Sequence, residues 1–327
     1  MAGLEEALEL KRAGDLDGAV IVLEGVLSRS PAHPVALAHL AEVQLKRGRA
    51  EEAGAALDRA EAAAGTTKRT ARLRGDLCYK GGGWKEAARH YQDAAALGDD
   101  TCWLLVQLAR CLLRLGDLAG ARGAGAQAAE RDPGSAAPWV VLGDIALREQ
   151  RLDDAEAMFN RAHERAPQDQ WAYAKLVEAR LLRLPAERRE REIQVLLRTT
   201  ARENKHLVGV AARLRSDQGD QAEAARTWGE RARTGDLFAR KQEGYALRKA
   251  GQLDEAAVVL RACLAADPQD RFVFSSYVSL QRERQAWQEL RVSLEEALPR
   301  AGSRRGAFYG ALRKLPPVDV PPVDVPP

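Results

Sequence analysis

Between Ala136 and Gln168 the apolar side chains fall into two short periodic runs. Trp139, Leu142, Gly143 and Ala146 recur at three- and four-residue spacing, which puts them on one face of a helix. Ala155, Phe159 and Ala162 do the same on a second helix. The polar stretch Glu149-Gln150-Arg151-Leu152-Asp153 between them is short enough for a tight turn between antiparallel helices. Pro167 cannot continue a helix and ends the second one. Gly143 and Ala155 are small, so the two helices approach closely. A hairpin of this kind leaves an apolar face that only a neighbouring hairpin can cover.

Shifting this frame by 34 residues finds further copies. The first keeps Ala7, Leu10, Gly14, Ala19 and Leu23. The second, from Pro34, keeps Leu37, Leu40, Ala41, Gly48, Ala53 and Leu57. The third, from Lys68, has Gly75, Ala87 and Tyr91, with Arg74 at an ordinarily apolar position. The fourth, from Cys102, carries Gly125 where a large residue is usual, which predicts thin packing there. The sixth, from Gln170, degenerates after Leu176, with Pro185 near its turn and a highly charged second helix. A one-residue slip follows, then copies from about Lys205 and Leu237 and a weak ninth from Arg271. The amphipathic stretch 303–314 is a candidate cap for the last apolar face. Residues 315–327 are proline-rich, with PPVDV at 316–320 and again at 321–325. Such a run favours an extended polyproline-type chain, either as an unstructured tail or as a docking peptide.

Numbered from Ala136, the conserved-type positions are 4, 7, 8, 11, 20, 24, 27 and 32, and this pattern resembles the tetratricopeptide (TPR) repeat. Only Ala146 departs, at a position where Tyr is common. The resemblance covers residues 1–302 in about nine copies, the sixth and ninth degenerate. It implies an all-α fold, a right-handed superhelical solenoid of antiparallel helix pairs. It also implies protein or peptide binding on a concave face built from positions 2, 5, 9, 12 and 13 of each first helix. Those positions supply Arg69, Arg72, Asp76, Tyr79 and Lys80, then Trp103, Val106, Arg110, Leu113 and Arg114. Further along they supply Ala137, Val140, Asp144, Leu147 and Arg148, then Trp171, Ala174, Glu178 and Leu181. The candidate partner-binding set is therefore Arg69, Arg72, Tyr79, Trp103, Val106, Arg110, Arg114, Val140, Arg148 and Trp171. Arginine with aromatics is the composition of binding hot spots, and it suits a segment carrying acids and apolar anchors. A weaker secondary set is Phe238, Lys241, Tyr245, Arg248 and Phe272. The carboxylate clamp of chaperone-tail binders needs asparagines in first helices. Here the two asparagines are Asn160, in a second helix, and Asn204, so the clamp is rejected.

Composition agrees with a helical array. Of 327 residues, 46% are hydrophobic and 30% charged, but only 5% are aromatic, and β-branched runs are missing. The net charge of +3 is too mild to imply nucleic acid, and Arg180, Arg183, Arg188, Arg189 and Arg191 are interleaved with glutamates as on a solvated helix face. The start of the chain lacks the basic flank and apolar run of a signal peptide, and no stretch reaches about 18 apolar residues, so no membrane span is expected.

Chemistry is not apparent. Cys78, Cys102, Cys111 and Cys263 show no metal-ligand spacing and are read as small buried residues, which fits a reducing cytoplasm. The five histidines form no ligand motif with one another. The GxGxxA run at 123–128 lacks a preceding strand and is better explained by close helix packing. The sequence thus points to a non-enzymatic cytoplasmic scaffold that needs no cofactor or metal and binds a protein or peptide in its groove. The alternatives are self-association through the tail or end repeats, and an accessory subunit of an enzyme or secretion complex.

Overall fold

The computed structural model describes residues 2–199 and 204–316. The Pro-rich segment read from the sequence therefore lies outside the described residues from 317 onward. Two compact units form, Met1–Arg183 and Leu184–Pro327, and within each of them successive helices pack against one another.

The first unit holds α1 (Ala2–Ala13), α2 (Leu16–Arg29), α3 (Pro34–Lys46), α4 (Ala50–Ala64), α5 (Lys68–Lys80) and α6 (Trp84–Ala96). It continues with α7 (Cys102–Leu115), α8 (Leu118–Arg131), α9 (Ala137–Arg148), α10 (Leu152–Arg165) and α11 (Gln170–Leu182). The second unit holds α12 (Ala186–Thr199), α13 (Lys205–Asp217), α14 (Gln221–Ala232), α15 (Leu237–Lys249), α16 (Leu253–Ala266), α17 (Arg271–Glu283) and α18 (Trp287–Ala297). Two short 3-10 turns lead to α19 (Arg305–Leu312). This is an all-α helical repeat solenoid.

The repeat is written into the backbone as well as the core. Gly14, Gly48, Gly82, Gly116 and Gln150 adopt left-handed φ and stand 34 residues apart, one in each turn inside a pair. First helices start behind polar caps in the same register. The side chains of His33, Thr67, Thr101 and Asp169 each accept a backbone N–H of the helix that follows.

Within a pair, a large residue at position 24 lies over a small residue at position 8. A Cβ at Gly75 would sit 2.5 Å from the Tyr91 ring, one at Gly143 2.5 Å from Phe159, and one at Gly244 2.8 Å from Leu260. Position 24 fills the gap over position 8, and the position-20 alanines Ala87, Ala155 and Ala256 are fully buried. The thin packing predicted at Gly125 is corrected. Gly125 is buried, and Leu142 of the next pair reaches within 3.0 Å of where its Cβ would be.

The regularity stops after α11. No left-handed residue marks the turn at 183–185, and Pro185 directly precedes α12. In the second unit, Phe308 of α19 is fully buried against Phe274 of α17, ring centroids 4.6 Å apart, in the core formed by α16, α17 and α18. Cys111 and Cys263 are buried, and burial pushes their thiols up to about 12 and about 11. Cys78 and Cys102 are only half-buried, because Cys102 opens α7 and Cys78 lies near the end of α5.

Candidate functional site

The first helices α3, α5 and α7 form a cleft of about 480 Å³ in the first unit. Leu73 and Tyr91 are nearly fully buried and lie at its base, and Glu42, Arg72, Asp76, Tyr79 and Trp103 line it. Each wall has a local cause. Thr67 and Thr70 form a capping box that starts α5. Gly75 admits the Tyr91 ring, and this brings the Tyr91 hydroxyl 2.8 Å from Asp76 Oδ1 as donor. Burial holds the Asp76 carboxyl above its usual range, against the opposing effects of Tyr91 and Arg72. Thr101 caps α7 and donates its hydroxyl to Asp99 at 2.9 Å. The buried Asp99 faces Arg72 at 3.5 Å.

The wall formed by α3 is a charge cluster. Glu42 accepts from Lys11 at 2.9 Å and from Arg69 at 2.6 Å. Against the pull of burial, these cations hold the Glu42 carboxyl below its ordinary value. The Arg69 guanidinium also lies 2.6 Å from the His39 ring. Burial, then the charges of Arg69 and Lys11, lower His39 to about 4, so it is neutral at pH 7.

Trp103 is the apolar handle of the cleft. It remains 46% exposed, edge-on to Tyr91 at 6.3 Å and 5.9 Å from the Arg72 guanidinium. At the C-terminal ends of α3, α5, α7 and α9 stand Lys46, Lys80, Arg114 and Arg148, one per repeat. Such cations complement helix dipoles and also present positive charge to a ligand. Among the described residues no group of three or more His, Cys, Asp or Glu is placed to hold a metal ion.

Three models of the tetratricopeptide repeat match the chain, one at residues 10–77 and 116–181, one at 72–136 and one at 242–270. The chain belongs to the tetratricopeptide repeat family. Among solved structures, a TPR protein from Parabacteroides merdae gives a TM-score of 0.59 at 16% identity, covering 75% of this chain and 98% of that one. PilW, described as a widely conserved type IV pilus biogenesis factor, gives 0.55 at 17% identity over 64% and 96% of the two chains. The pilF protein of Pseudomonas aeruginosa gives 0.52 at 16% identity over 61% and 90%. At these identities the likeness shows the fold alone. No curated protein matches the chain.

The TPR frame sorts the residues chosen from the sequence. Trp103 and Trp171 are exposed by 46% and 42%, and Arg114 and Arg148 are exposed. Arg110, Arg114 and Arg148 make no ion pair among the described residues, although Arg114 lies 5.7 Å from the Trp84 ring. Arg69 and Arg72 are engaged by Glu42 and Asp99 as above, and Tyr79 packs edge-on against Trp84 at 4.9 Å. Val106 and Val140 are corrections. They are 2% and 5% exposed and belong to the core. Position 5 lies at the seam between neighbouring first helices, where Ala38 and Ala174 are buried too, and only a side chain as long as Arg72 reaches out.

The secondary set lies in the second unit. Phe238 and Phe272 are exposed, the former edge-on to Trp228 at 5.9 Å and the latter under Arg271 at 4.6 Å. Lys241 is tied to Asp270 at 2.7 Å, Arg248 pairs with Glu283 at 3.1 Å, and Tyr245 is half-buried against the core.

Two groups were missed. Glu42 and Lys46 are positions 9 and 13 of the second repeat, and extending the same frame one repeat earlier finds them. Lys175, at position 6, is buried between Asp144 at 2.8 Å and Glu178 at 3.3 Å, with the Trp171 ring 5.0 Å away. A buried lysine on a groove helix carries no sequence signal.

Proposed function

We propose that this TPR protein is a non-enzymatic scaffold whose first unit binds a protein segment along α3 to α11, through a preformed surface. The observation that carries this reading is the half-exposed Trp103 beside the cleft, together with Arg110, Arg114 and Arg148, which have no ion pair among the described residues. An apolar side chain of the partner fits against Trp103 over Leu73 and Tyr91. Its carboxylates face the three arginines, whose planar forks suit them. Arg69, Arg72 and Lys175 contribute less, since carboxylates of the protein already engage them.

The charged groups of the cleft act in recognition. His39 is neutral and engaged by Arg69, and Asp76 is engaged by Tyr91, which leaves neither placed as a nucleophile or proton carrier. No helix among the described residues is long and apolar enough to cross a membrane. The place of action in this reading is a reducing cytoplasm, which suits Cys78, Cys102, Cys111 and Cys263 as free thiols.

The test is selection from a displayed peptide library by the full chain. Enriched peptides are expected to combine acids with an aromatic or aliphatic anchor, and Trp103→Ala with Arg110→Glu is expected to abolish the enrichment. Enrichment of basic peptides, or enrichment untouched by the variant, contradicts the reading.

A further inference from the structure

The second unit carries its own cleft, of about 480 Å³, between α17 and α19. Phe274, Val278, Ala307 and Ala311 give it an apolar lining, and a Cβ on Gly310 would meet nothing within 4 Å. Arg282 and Lys314 line it as well, both exposed and without an ion pair among the described residues. No carboxylate lines it. Glu283, next to Arg282 in sequence, is engaged by Arg248 at 3.1 Å. The surrounding chain deepens this imbalance, because 298–316 holds Arg300, Arg304, Arg305, Arg313 and Lys314 and no acid at all. Arg304 lies against the Phe274 ring at 5.2 Å and Arg305 donates to the Pro299 carbonyl, so neither is neutralised by a carboxylate.

The residues that follow have the complementary chemistry. Residues 317–327 contain Asp319 and Asp324, each between two valines, and no cation. We propose that this cleft seats a Val-Asp-Val triplet of the same chain, 318–320 or 323–325. The carboxylate pairs with Arg282 and Lys314, and the valines lie on Phe274, Val278 and the alanines. The reach is sufficient. Pro316 is held through its carbonyl by Arg291 at 2.9 Å and follows the lining residue Lys314 by two positions, and Asp319 and Asp324 stand three and eight residues further on, about 9 Å and about 25 Å of polyproline-type chain. Proline stiffness lowers the ordering cost, and the short tether places the triplet at an effective concentration in the millimolar range. The two copies give the same cleft two equivalent occupants about 15 Å apart along the chain. This inference concerns the second unit and does not depend on the groove of the first.

The test titrates a labelled synthetic peptide, PPVDVPPVDVPP, against full-length chains of equal helicity, read by fluorescence anisotropy, with Trp103→Ala and Arg110→Glu present in every chain, the reference included, so that the first unit's groove does not contribute. In the reference the tethered segment competes, so the peptide is expected to bind at least about tenfold more tightly to the Asp319→Asn, Asp324→Asn variant. Adding Arg282→Glu and Lys314→Glu to that variant is expected to abolish binding. Equal affinity for the reference and the Asn variant overturns the proposal, as does binding that survives charge reversal. A reference mass that rises with concentration, and falls to that of one chain in the Asn variant, also overturns it by making the occupant a second copy.

Discussion

At the scale of single residues, the fold depends on a few places where only one size of side chain fits. Gly143 is one, because the Phe159 ring occupies the space a Cβ would take. Gly143→Ala should destabilise the protein by about 1–3 kcal/mol, the usual cost of overpacking. Adding Phe159→Leu should recover part of that loss in chemical denaturation, whereas no recovery would place the strain elsewhere. His39 is a second such residue. Its folded value of about 4 lies below the ordinary 6.5, so the unfolded chain takes up the proton first as pH falls. The stabilisation is complete above the unfolded value and is lost on descending toward the folded one. Between pH 7 and pH 5 this amounts to about 2 kcal/mol. The stability advantage of wild type over His39→Gln should therefore shrink by about that much over the interval, and parallel pH curves for the two would contradict the assignment. Asp76 and Tyr91 show the same coupling of packing to polarity, since the glycine that admits the ring also delivers its hydroxyl to the carboxylate.

At the scale of helices and pairs, most of the architecture was legible because the 34-residue period appears three times over. Apolar stripes, small residues at position 8 and left-handed turn residues all keep one register as far as Gln150. Two things were harder to read. The cap residues His33, Thr67 and Thr101 carry the period too, but a lone polar residue before a helix is common and gives little signal by itself. The exposure of position 5 depends on how closely neighbouring first helices stack, and nothing in one repeat's own pattern reports that. Val106 and Val140 were placed on the groove for this reason. Gly125 was misread for a similar one, since its space is filled by Leu142 from the next pair, outside the repeat being read. The register is lost after α11, where the two compact units divide. Residues 1–183 should accordingly retain the helicity and cooperative melting of a folded array when produced alone. A broad, weak transition measured by circular dichroism would show that this unit needs the rest of the chain.

For the whole molecule, the distribution of charge matters more than its near-balanced sum of +3. Within the first unit, carboxylates of the groove consume some of its cations, notably Arg69 at Glu42 and Lys175 at Asp144 and Glu178. Arg110, Arg114 and Arg148 make no ion pair among the described residues, and in the proposed reading they and the exposed Trp103 are what a partner meets. Within the second unit, an acid-free cleft borders a strongly basic stretch of chain. The central claim is that the first unit is a preformed surface for an acidic, apolar protein segment. Affinity capture from the source cells tests it most directly, comparing the wild-type chain with a Trp103→Ala, Arg110→Glu, Arg148→Glu variant of matched helicity and melting temperature. The account predicts a protein held by the wild type and lost by the variant, whose bound segment carries acids beside an apolar anchor. A partner retained equally by both chains would contradict it.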